Sequence, residues 1–162
     1  MYSKAALDAL LDIGAHAQGA VARSAYFLGA AGLLCSAKNS APLSSAASKA
    51  SAGALELMDV LSSKQLPKLL AAARDVHGWD VIAATGSSID AVPARCLERA
   101  PNSVGTIVVL GNEGRGLRTN TRRACSRSVY IEGGSGSPLV DSLNLSVASG
   151  ILLHRLLAEQ DR

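Results

Sequence analysis

The stretch from Val104 to Leu157 constrains the fold more than any other part of the sequence. It alternates two compact apolar segments, Thr106–Leu110 and Ser128–Ile131, with glycine-bearing loops, and a helical pattern then runs from Ser142 to about Ala158. Apolar segments of this length bounded by glycine predict buried strands. Because open α/β sheets bind ligands where glycine turns at strand ends meet a helix N-terminus, we expect a binding site in this stretch.

The rest of the sequence continues the alternation. We predict helices over Tyr2–Ile13, Gln18–Leu28, Ser45–Leu55 and from Pro67 to His77, strands over Gly32–Ser36, Met58–Leu61 and Val81–Thr85, and a loop with at most a poor helix over Ser87–Asn102. Strands that alternate with helices favour a mostly parallel sheet with helices on both faces. At 162 residues, the chain is predicted to be a single α/β domain over residues 1–162.

The composition excludes several classes of protein. Hydrophobic residues make up 48% of the chain and charged residues 18%, so it is not a disordered polyelectrolyte. Aromatic residues are only 3%, which argues against a single-strand-binding surface built from stacked rings. The net charge of +3 does not by itself indicate a polyanionic partner.

The cysteines and histidines give no sign of a disulfide framework or a metal site. Cys35, Cys96 and Cys125 are widely spaced and odd in number, as suits a reducing compartment, and the three histidines stand alone. The longest uncharged, apolar-leaning segment, Ser24–Ala37, is too short to span a bilayer, so no membrane partner is expected. The N-terminus carries acids and lacks a transit-peptide pattern, so we expect any targeting segment to be removed or missing here.

The glycine loop after Leu110 has two alternative interpretations that its residues disfavour. Gly111 and Gly116 have the spacing of a nucleotide-binding P-loop, but Leu117 stands where lysine is required. A dinucleotide fingerprint needs a third glycine, and that position holds Thr119. Nor does any Ser/His/Asp set with a familiar spacing occur.

Two segments of this stretch carry a family resemblance. Asn112-Glu113-Gly114-x-Gly116-Leu117 and Ser142-Leu143-Asn144-x-Ser146-Val147-Ala148 resemble motifs 2 and 3 of the SPOUT (TrmH-type) RNA 2′-O-ribose methyltransferases. Arg23–Gly29 and Lys38–Glu56 also match. The second of these is most similar to the branch of mitochondrial rRNA guanosine methyltransferases. The resemblance covers roughly Gly19 to Leu157.

The resemblance implies a SPOUT fold with a C-terminal trefoil knot, S-adenosylmethionine as methyl donor, no metal, RNA as substrate and a homodimer. It further implies a mitochondrial location, with cytoplasm or plastid as alternatives. The catalytic residues it implies are Arg23, Glu113, Asn144 and Ser146. The cofactor-binding residues it implies are Leu110, Gly111, Asn112, Gly116, Ile131, Leu139, Leu143, Asn144 and Ala148. Since arginine stays protonated far above neutral pH, we expect Arg23 to clamp a phosphate and stabilise a developing alkoxide.

One segment departs from the family pattern. The family asparagine of the Asp-Pro-x-Asn-x-Gly turn falls on Ala17, and Asp-Pro falls on Gly14-Ala15. This indicates a remodelled or truncated first strand. It predicts slower catalysis than in relatives with that asparagine, or a rearranged turn that brings Gln18 into the site.

The densest basic segment runs from Arg115 to Arg127. Arg115, Arg118 and Arg122 have the spacing of one helix face, which fits a solvated surface or a track for RNA phosphates, and beside the methyltransferase motifs we favour the track. We expect an rRNA ribose methyltransferase acting on an organellar guanosine. A tRNA methyltransferase of the same fold and a non-catalytic RNA-binding assembly factor are the alternatives. Relatives commonly carry an N-terminal RNA-binding domain without a counterpart here, so we expect weak RNA affinity or a partial chain.

Overall fold

The computed structural model describes residues 6–11, 15–37, 44–86, 90–112, 115–134 and 142–158. Within them, seven strands form one sheet in the order β3-β2-β1-β6-β4-β7-β5, and each pair of neighbouring strands is parallel. The strands are β1 (Ala6–Leu11), β2 (Gly32–Ser36), β3 (Asp59–Ser63), β4 (Asp80–Thr85), β5 (Ala91–Pro93), β6 (Gly105–Leu110) and β7 (Arg127–Tyr130). The helices are α1 (Ala15–Leu28), α2 (Ser45–Ser51), α3 (Ala54–Leu57), α4 (Leu66–Asp75), α5 (Thr119–Arg123) and α6 (Leu145–Leu157). Because the strands are parallel, their carboxyl ends meet at one end of the sheet.

Strand β6 lies in the middle of the sheet, between β1 and β4, and all six of its residues are buried. Its side chains alternate between two hydrophobic clusters. Val108 and Leu110 join one cluster, and Ile107 and Val109 join the other. A strand that is covered on both faces is apolar at most positions, here from Ile107 to Leu110, which is why this segment is the strongest strand signal in the sequence.

Each hydrophobic cluster is completed by a different pair of helices. Val21 and Ala25 of α1 pack with Leu152 and Leu156 of α6 against one face of the sheet. On the other face, Leu66 and Leu70 of α4 pack together with Ala124, the residue after α5. The predicted architecture, a parallel sheet with helices on both faces, is therefore confirmed. Most predicted elements are confirmed to within a few residues, and β2 to the residue.

The helix predicted over Tyr2–Ile13 is wrong, because residues 6–11 form strand β1. A short, almost entirely apolar segment is compatible with either structure, and here pairing with β2 and β6 on its two sides decides in favour of the strand. The first strand is thus present, and the expectation that it is remodelled or truncated relative to the family stays a prediction. Residues 2–5 and 12–13 of the prediction lie outside the described residues.

Two smaller predictions need correction. The helix predicted over Ser45–Leu55 breaks into α2 and α3, because Ala52 (φ +51°) and Gly53 (φ +89°) are left-handed. The loop predicted over Ser87–Asn102 contains the three-residue strand β5, which pairs only with β7. Its Pro93 fits an edge strand, where no outer partner requires its missing N–H. The trefoil knot stays a prediction.

Candidate functional site

The loop that follows β6 closes on itself through its backbone. The N–H of Asn112 donates to the carbonyl of Gly116 (3.2 Å), and the N–H of Gly116 donates to the carbonyl of Asn112 (2.8 Å). Gly111 sits so close to this turn that a Cβ there would lie 2.4 Å from the carbonyl carbon of Gly116. Gly116 itself has φ +62°, which favours glycine. The shape of the loop therefore requires glycine at position 111 and favours it at position 116.

Three loops lie side by side at the carboxyl end of the sheet. They begin at Gly111 after β6, at Gly86 after β4, and at Ile131 after β7, and these strands are neighbours in the order β6-β4-β7. Since adjacent strands are about 4.8 Å apart, the outer two loops begin about 10 Å apart. Sequence reasoning identified the first and third loops but missed Gly86, although a glycine directly after a buried strand was the signal for it.

Helix α6 places its N-terminus at the same end of the sheet. Near its C-terminus, Arg155 donates to the carbonyl of Leu97 (3.1 Å), and the next carbonyl, that of Glu98, accepts from Arg127 at the start of β7. The C-terminus of α6 therefore lies near the amino ends of the strands, and its N-terminus near the carboxyl ends. The partial positive charge of a helix N-terminus favours electron-rich ligands at this position.

Asn144 caps this N-terminus. Its Oδ1 accepts from the N–H of Ser146 (2.9 Å) and from the hydroxyl of Ser146 (2.7 Å). Because both bonds end on Oδ1, the orientation of the exposed amide is fixed, with its NH₂ group presented as a donor. Asn144 and Ser146, two of the catalytic residues that the resemblance implies, are thus in direct contact, and Asn144 braces the start of the helix.

A groove of about 470 Å³ runs between α1 and α6 and brings together two predicted catalytic residues from opposite halves of the sequence. We call it the Arg23 groove. Its lining includes Ala20 and Arg23 of α1, Ala50 of α2, and Ser146, Val147 and Ile151 of α6. Arg23 is exposed, so its guanidinium is available to a ligand in the groove. Gly150 of α6 faces Ser24 of α1 across this contact, and a Cβ at position 150 would lie 3.9 Å from the Ser24 hydroxyl, an ordinary van der Waals distance.

The remaining predicted cofactor residues differ in accessibility. Leu110 is completely buried in the core beneath α1 and α6, so only its backbone can reach a ligand. Ile131 packs partly against the same core. Leu143 is 47% exposed just before the cap, and Ala148 is half-buried in α6. Glu113 and Leu139 lie outside the described residues.

The segment that departs from the family pattern is helical. Ala17 and Gln18 belong to the first turns of α1, where Ala17 packs against the core and Gln18 is fully buried. Gln18 is not among the residues that line the Arg23 groove. The structure therefore gives no support to the alternative in which a rearranged turn brings Gln18 into the site.

The basic residues do not form the predicted helix face. Helix α5 covers only Thr119–Arg123, so Arg115 and Arg118 precede it and only Arg122 is helical. Arg127 is committed elsewhere, since its Nη2 lies 2.7 Å from Oδ2 of the buried Asp80. Arg122 lines a depression on the α4/α5 face of the sheet, opposite the face that carries the Arg23 groove.

Two cysteines outside the candidate site are kept uncharged by burial. Burial raises the pKa of Cys35 and that of Cys125 to about 11, so both thiols stay protonated at neutral pH. Among the described residues, no three His, Cys, Asp or Glu side chains are grouped as they would be around a metal ion. In that same part of the chain, no helix combines the length and apolar character needed to cross a bilayer.

Comparison with known proteins identifies a family. Residues 14–154 match the model of the SpoU rRNA Methylase family. The chain is 44% identical over 146 residues to "rRNA methyltransferase 1, mitochondrial" of Schizosaccharomyces pombe, a match covering 86% of this chain and 46% of the relative. It is 32% identical over 155 residues to the 23S rRNA (guanosine-2′-O-)-methyltransferase RlmB of Photobacterium profundum, covering 95% of this chain and 58% of that protein. The chain thus spans about half the length of these relatives.

The fold is shared with solved structures. The SpoU methyltransferase AviRb from Streptomyces viridochromogenes, in complex with AdoMet, superposes with a TM-score of 0.78 at 20% identity. The superposition covers 97% of this chain and 58% of AviRb. At this identity the comparison establishes the fold.

Proposed function

Because the chain belongs to the SpoU rRNA Methylase family, we propose that it transfers the methyl group of S-adenosylmethionine to the 2′-hydroxyl of a ribose in RNA. One observation carries the proposal beyond family membership. Arg23 and Ser146, from opposite ends of the chain, line one groove. Ser146 is hydrogen-bonded to Asn144, the cap of α6, whose N-terminus lies at the same end of the sheet as the loops that begin after β4, β6 and β7. Arg23 would thus lie next to a nucleoside bound in these loops.

The residues at the carboxyl end of the sheet fit the methyl donor. A spacing of about 10 Å between the loops at Gly111 and Ile131 suits a nucleoside held by backbone groups. The residues that would hold it are Gly111, Asn112 and Gly116 of one loop, Ile131 of another, and Leu143 before α6. When bound, the donor supplies a methyl group on a positively charged sulfur. Apolar side chains and backbone carbonyls are suitable neighbours for a group that loses its charge during the transfer.

The side chains of the groove have separate tasks in this proposal. Arg23 binds the phosphate next to the target ribose and stabilises negative charge that develops on the hydroxyl oxygen. It is not a proton acceptor, because a guanidinium stays protonated at physiological pH. Asn144 and Ser146 hold the nucleotide in line with the donor, since their mutual bonds fix both side chains. Positioning of this kind can supply much of the rate acceleration.

The substrate we favour is a guanosine of mitochondrial large-subunit rRNA. The S. pombe relative is named a mitochondrial rRNA methyltransferase and the P. profundum relative a 23S rRNA guanosine-2′-O-methyltransferase, which supports this choice. The alternatives are a tRNA methyltransferase of the same fold and a non-catalytic assembly factor. Loss of the family asparagine at Ala17 favours the last of these, while the groove that joins Arg23 to Ser146 argues against it.

We also propose that the protein acts as a homodimer through the side of the molecule that carries Arg23. Large apolar side chains are exposed next to that residue. Phe27, one helical turn after Arg23, is 86% exposed, and Val147 and Ile151 on the other wall of the groove are 49% and 41% exposed. Burial of such a patch by a second copy would stabilise the dimer and would place a partner next to the groove.

The proposal is tested by two measurements on the full chain. Calorimetry with S-adenosylmethionine should show binding, and ribose-methylation mapping of organellar rRNA incubated with the protein should show one new 2′-O-methyl guanosine. Replacing Arg23 by alanine should lower turnover by about 100-fold and leave donor affinity within about twofold. Lys64→Ala, which removes an exposed cation after β3, is the charge-matched control. Full methylation by the Arg23 variant, or no donor binding by the wild type, would refute the mechanism.

A further inference from the structure

A second concave surface lies on the face of the sheet opposite the Arg23 groove. Its volume is about 420 Å³, within the range of ligand-binding sites. We call it the Arg122 depression. It is lined by Asp90, Thr119, Arg122, Arg123, Cys125, Ser126, Arg127 and Ser128, of which Arg127 is paired with Asp80. Val129 packs under α1 and α6, so the neighbouring Ser128 of the same strand faces the other side, where α4 and α5 lie.

This face of the molecule concentrates positive charge. Helix α4 and residues 118–126 together contain five cations, Lys68, Arg74, Arg118, Arg122 and Arg123, and one acid, Asp75. Asp90, which lines the depression, lowers the charge of this face to +3, equal to the net charge of the whole chain, so the rest of the molecule is neutral overall. The excess positive charge of the chain is therefore concentrated on one face, which attracts a polyanion there.

The backbone that carries the two central arginines is braced. Nη1 of Arg74 donates to the carbonyls of Arg123 and Cys125, at 3.0 Å in both cases. Asp75 holds the same guanidinium, and its own pKa is lowered by the hydrogen bond from Arg74. The side chains of Arg122 and Arg123 are exposed on this support. Little backbone entropy is then lost when they bind a ligand, so the entropic cost is confined to the two side chains.

The other groups in the depression select for a sugar–phosphate backbone. Thr119, Ser126 and Ser128 bring hydroxyls beside the arginines. Ser126 Oγ accepts from the N–H of Val81 (3.0 Å), which leaves its hydrogen to donate. The carboxylate of Asp90 repels a doubly charged phosphate more than a diester, and it can accept from a ribose hydroxyl. The Cys125 thiol, protonated at neutral pH, adds no negative charge.

We propose that the Arg122 depression binds the phosphodiester backbone of RNA, at a place separate from the Arg23 groove. The identity of the polyanion rests on the proposed function, whereas the surface itself rests on the charge and geometry described above. Because groove and depression lie on opposite faces, an RNA that occupies both must pass around the end or the β5 edge of the sheet. RNA long enough to do so gains affinity from the depression, while a short oligonucleotide in the groove does not.

The experiment measures binding of a fluorescein-labelled 20-nucleotide oligouridylate to the full chain by anisotropy, over a range of KCl concentrations. The test variant is Arg122→Gln/Arg123→Gln. Lys49→Gln/Lys64→Gln, which removes two exposed cations outside this surface, controls for net charge. Arg122→Lys/Arg123→Lys keeps the charges. Thermal unfolding of every variant verifies that the fold is retained.

We expect the glutamine pair to weaken binding at least fivefold and to reduce the slope of log affinity against log salt by about 0.7 per lost phosphate contact. The lysine pair should retain most of the affinity, and the control pair should lose less than twofold. Equal losses in the test and control pairs, or no binding by the wild type, would overturn the proposal. Donor binding, measured by calorimetry on the same variants, tests the proposed function independently, because it should be unchanged by all three substitutions.

Discussion

Gly111→Ala is the sharpest test of the loop after β6. An added Cβ would lie 2.4 Å from the carbonyl carbon of Gly116, 2.5 Å from the amide nitrogen of Leu117 and 2.6 Å from the carbonyl oxygen of Gly116. All three are backbone atoms, so no side chain can rotate away to relieve the contact. The turn must move by roughly 1 Å to restore ordinary van der Waals separation.

The loss of free energy depends on the hydrogen bonds that this movement breaks. The reciprocal hydrogen bonds between Asn112 and Gly116 are lost, at about 1 kcal/mol each. If the loop opens to relieve the clash, the total is about 2 kcal/mol, which corresponds to about a 30-fold loss of affinity for a ligand that needs the closed loop. Most of the sheet is unaffected, because the loop lies beyond the end of β6.

Urea unfolding and calorimetry with S-adenosylmethionine measure the two consequences. Gly133→Ala is the matched control, since its Cβ would meet nothing within 4 Å and its loop also belongs to the proposed donor site. We expect the control to differ from the wild type by less than about 0.5 kcal/mol. If Gly111→Ala bound the donor as tightly as Gly133→Ala, the closed loop would not be the binding conformation, and the reasoning would be refuted.

Three further predictions follow from other parts of the molecule. Thr106 is completely buried, and its Oγ1 has no hydrogen-bond partner among the described residues. Thr106→Val should therefore raise the free energy of unfolding, measured by urea titration, by about 1 kcal/mol. A loss of stability would show that the hydroxyl is hydrogen-bonded. Ala17→Asn should increase turnover in the methylation assay if the family asparagine matters here, and an unchanged rate would count against that role. Burial raises the pKa of Cys35 and of Cys125 to about 11, so at pH 8 iodoacetamide should modify the exposed Cys96 and spare the other two. Peptide mass spectrometry should show labelling of Cys35 and Cys125 only as the pH approaches 11. Modification of Cys125 at pH 8 would contradict its burial.

The sequence predicted the parallel α/β architecture and the residue types that two of its loops and one helix start require, while the roles of the site residues stay predictions. Asn112 and Asn144 were identified through their resemblance to the family motifs, and the structure shows local requirements beside them, glycine at the crowded position 111 and asparagine as the helix cap at 144. Such requirements are local, and therefore visible in a short segment. Gly86 was missed because a lone glycine after a strand says nothing about which strands lie beside it.

The errors share one physical cause. Residues 6–11 form a strand although their spacing also fits a helix, because β2 and β6 supply hydrogen-bond partners on both sides. Strand β5 exists only because β7 is there to pair with it. The predicted face of Arg115, Arg118 and Arg122 fails because α5 is too short to align them. In each case the deciding interaction is with a segment distant in the sequence.

Local chemistry thus determined from sequence alone that this chain alternates buried strands with helices and carries glycine-bearing loops at strand ends. Only the tertiary structure decided that Arg23 meets Ser146 across a groove, and that Arg122 lies on the opposite face of the sheet. The reason is that strand order and helix packing depend on contacts between distant segments. Propensity and periodicity describe one segment at a time.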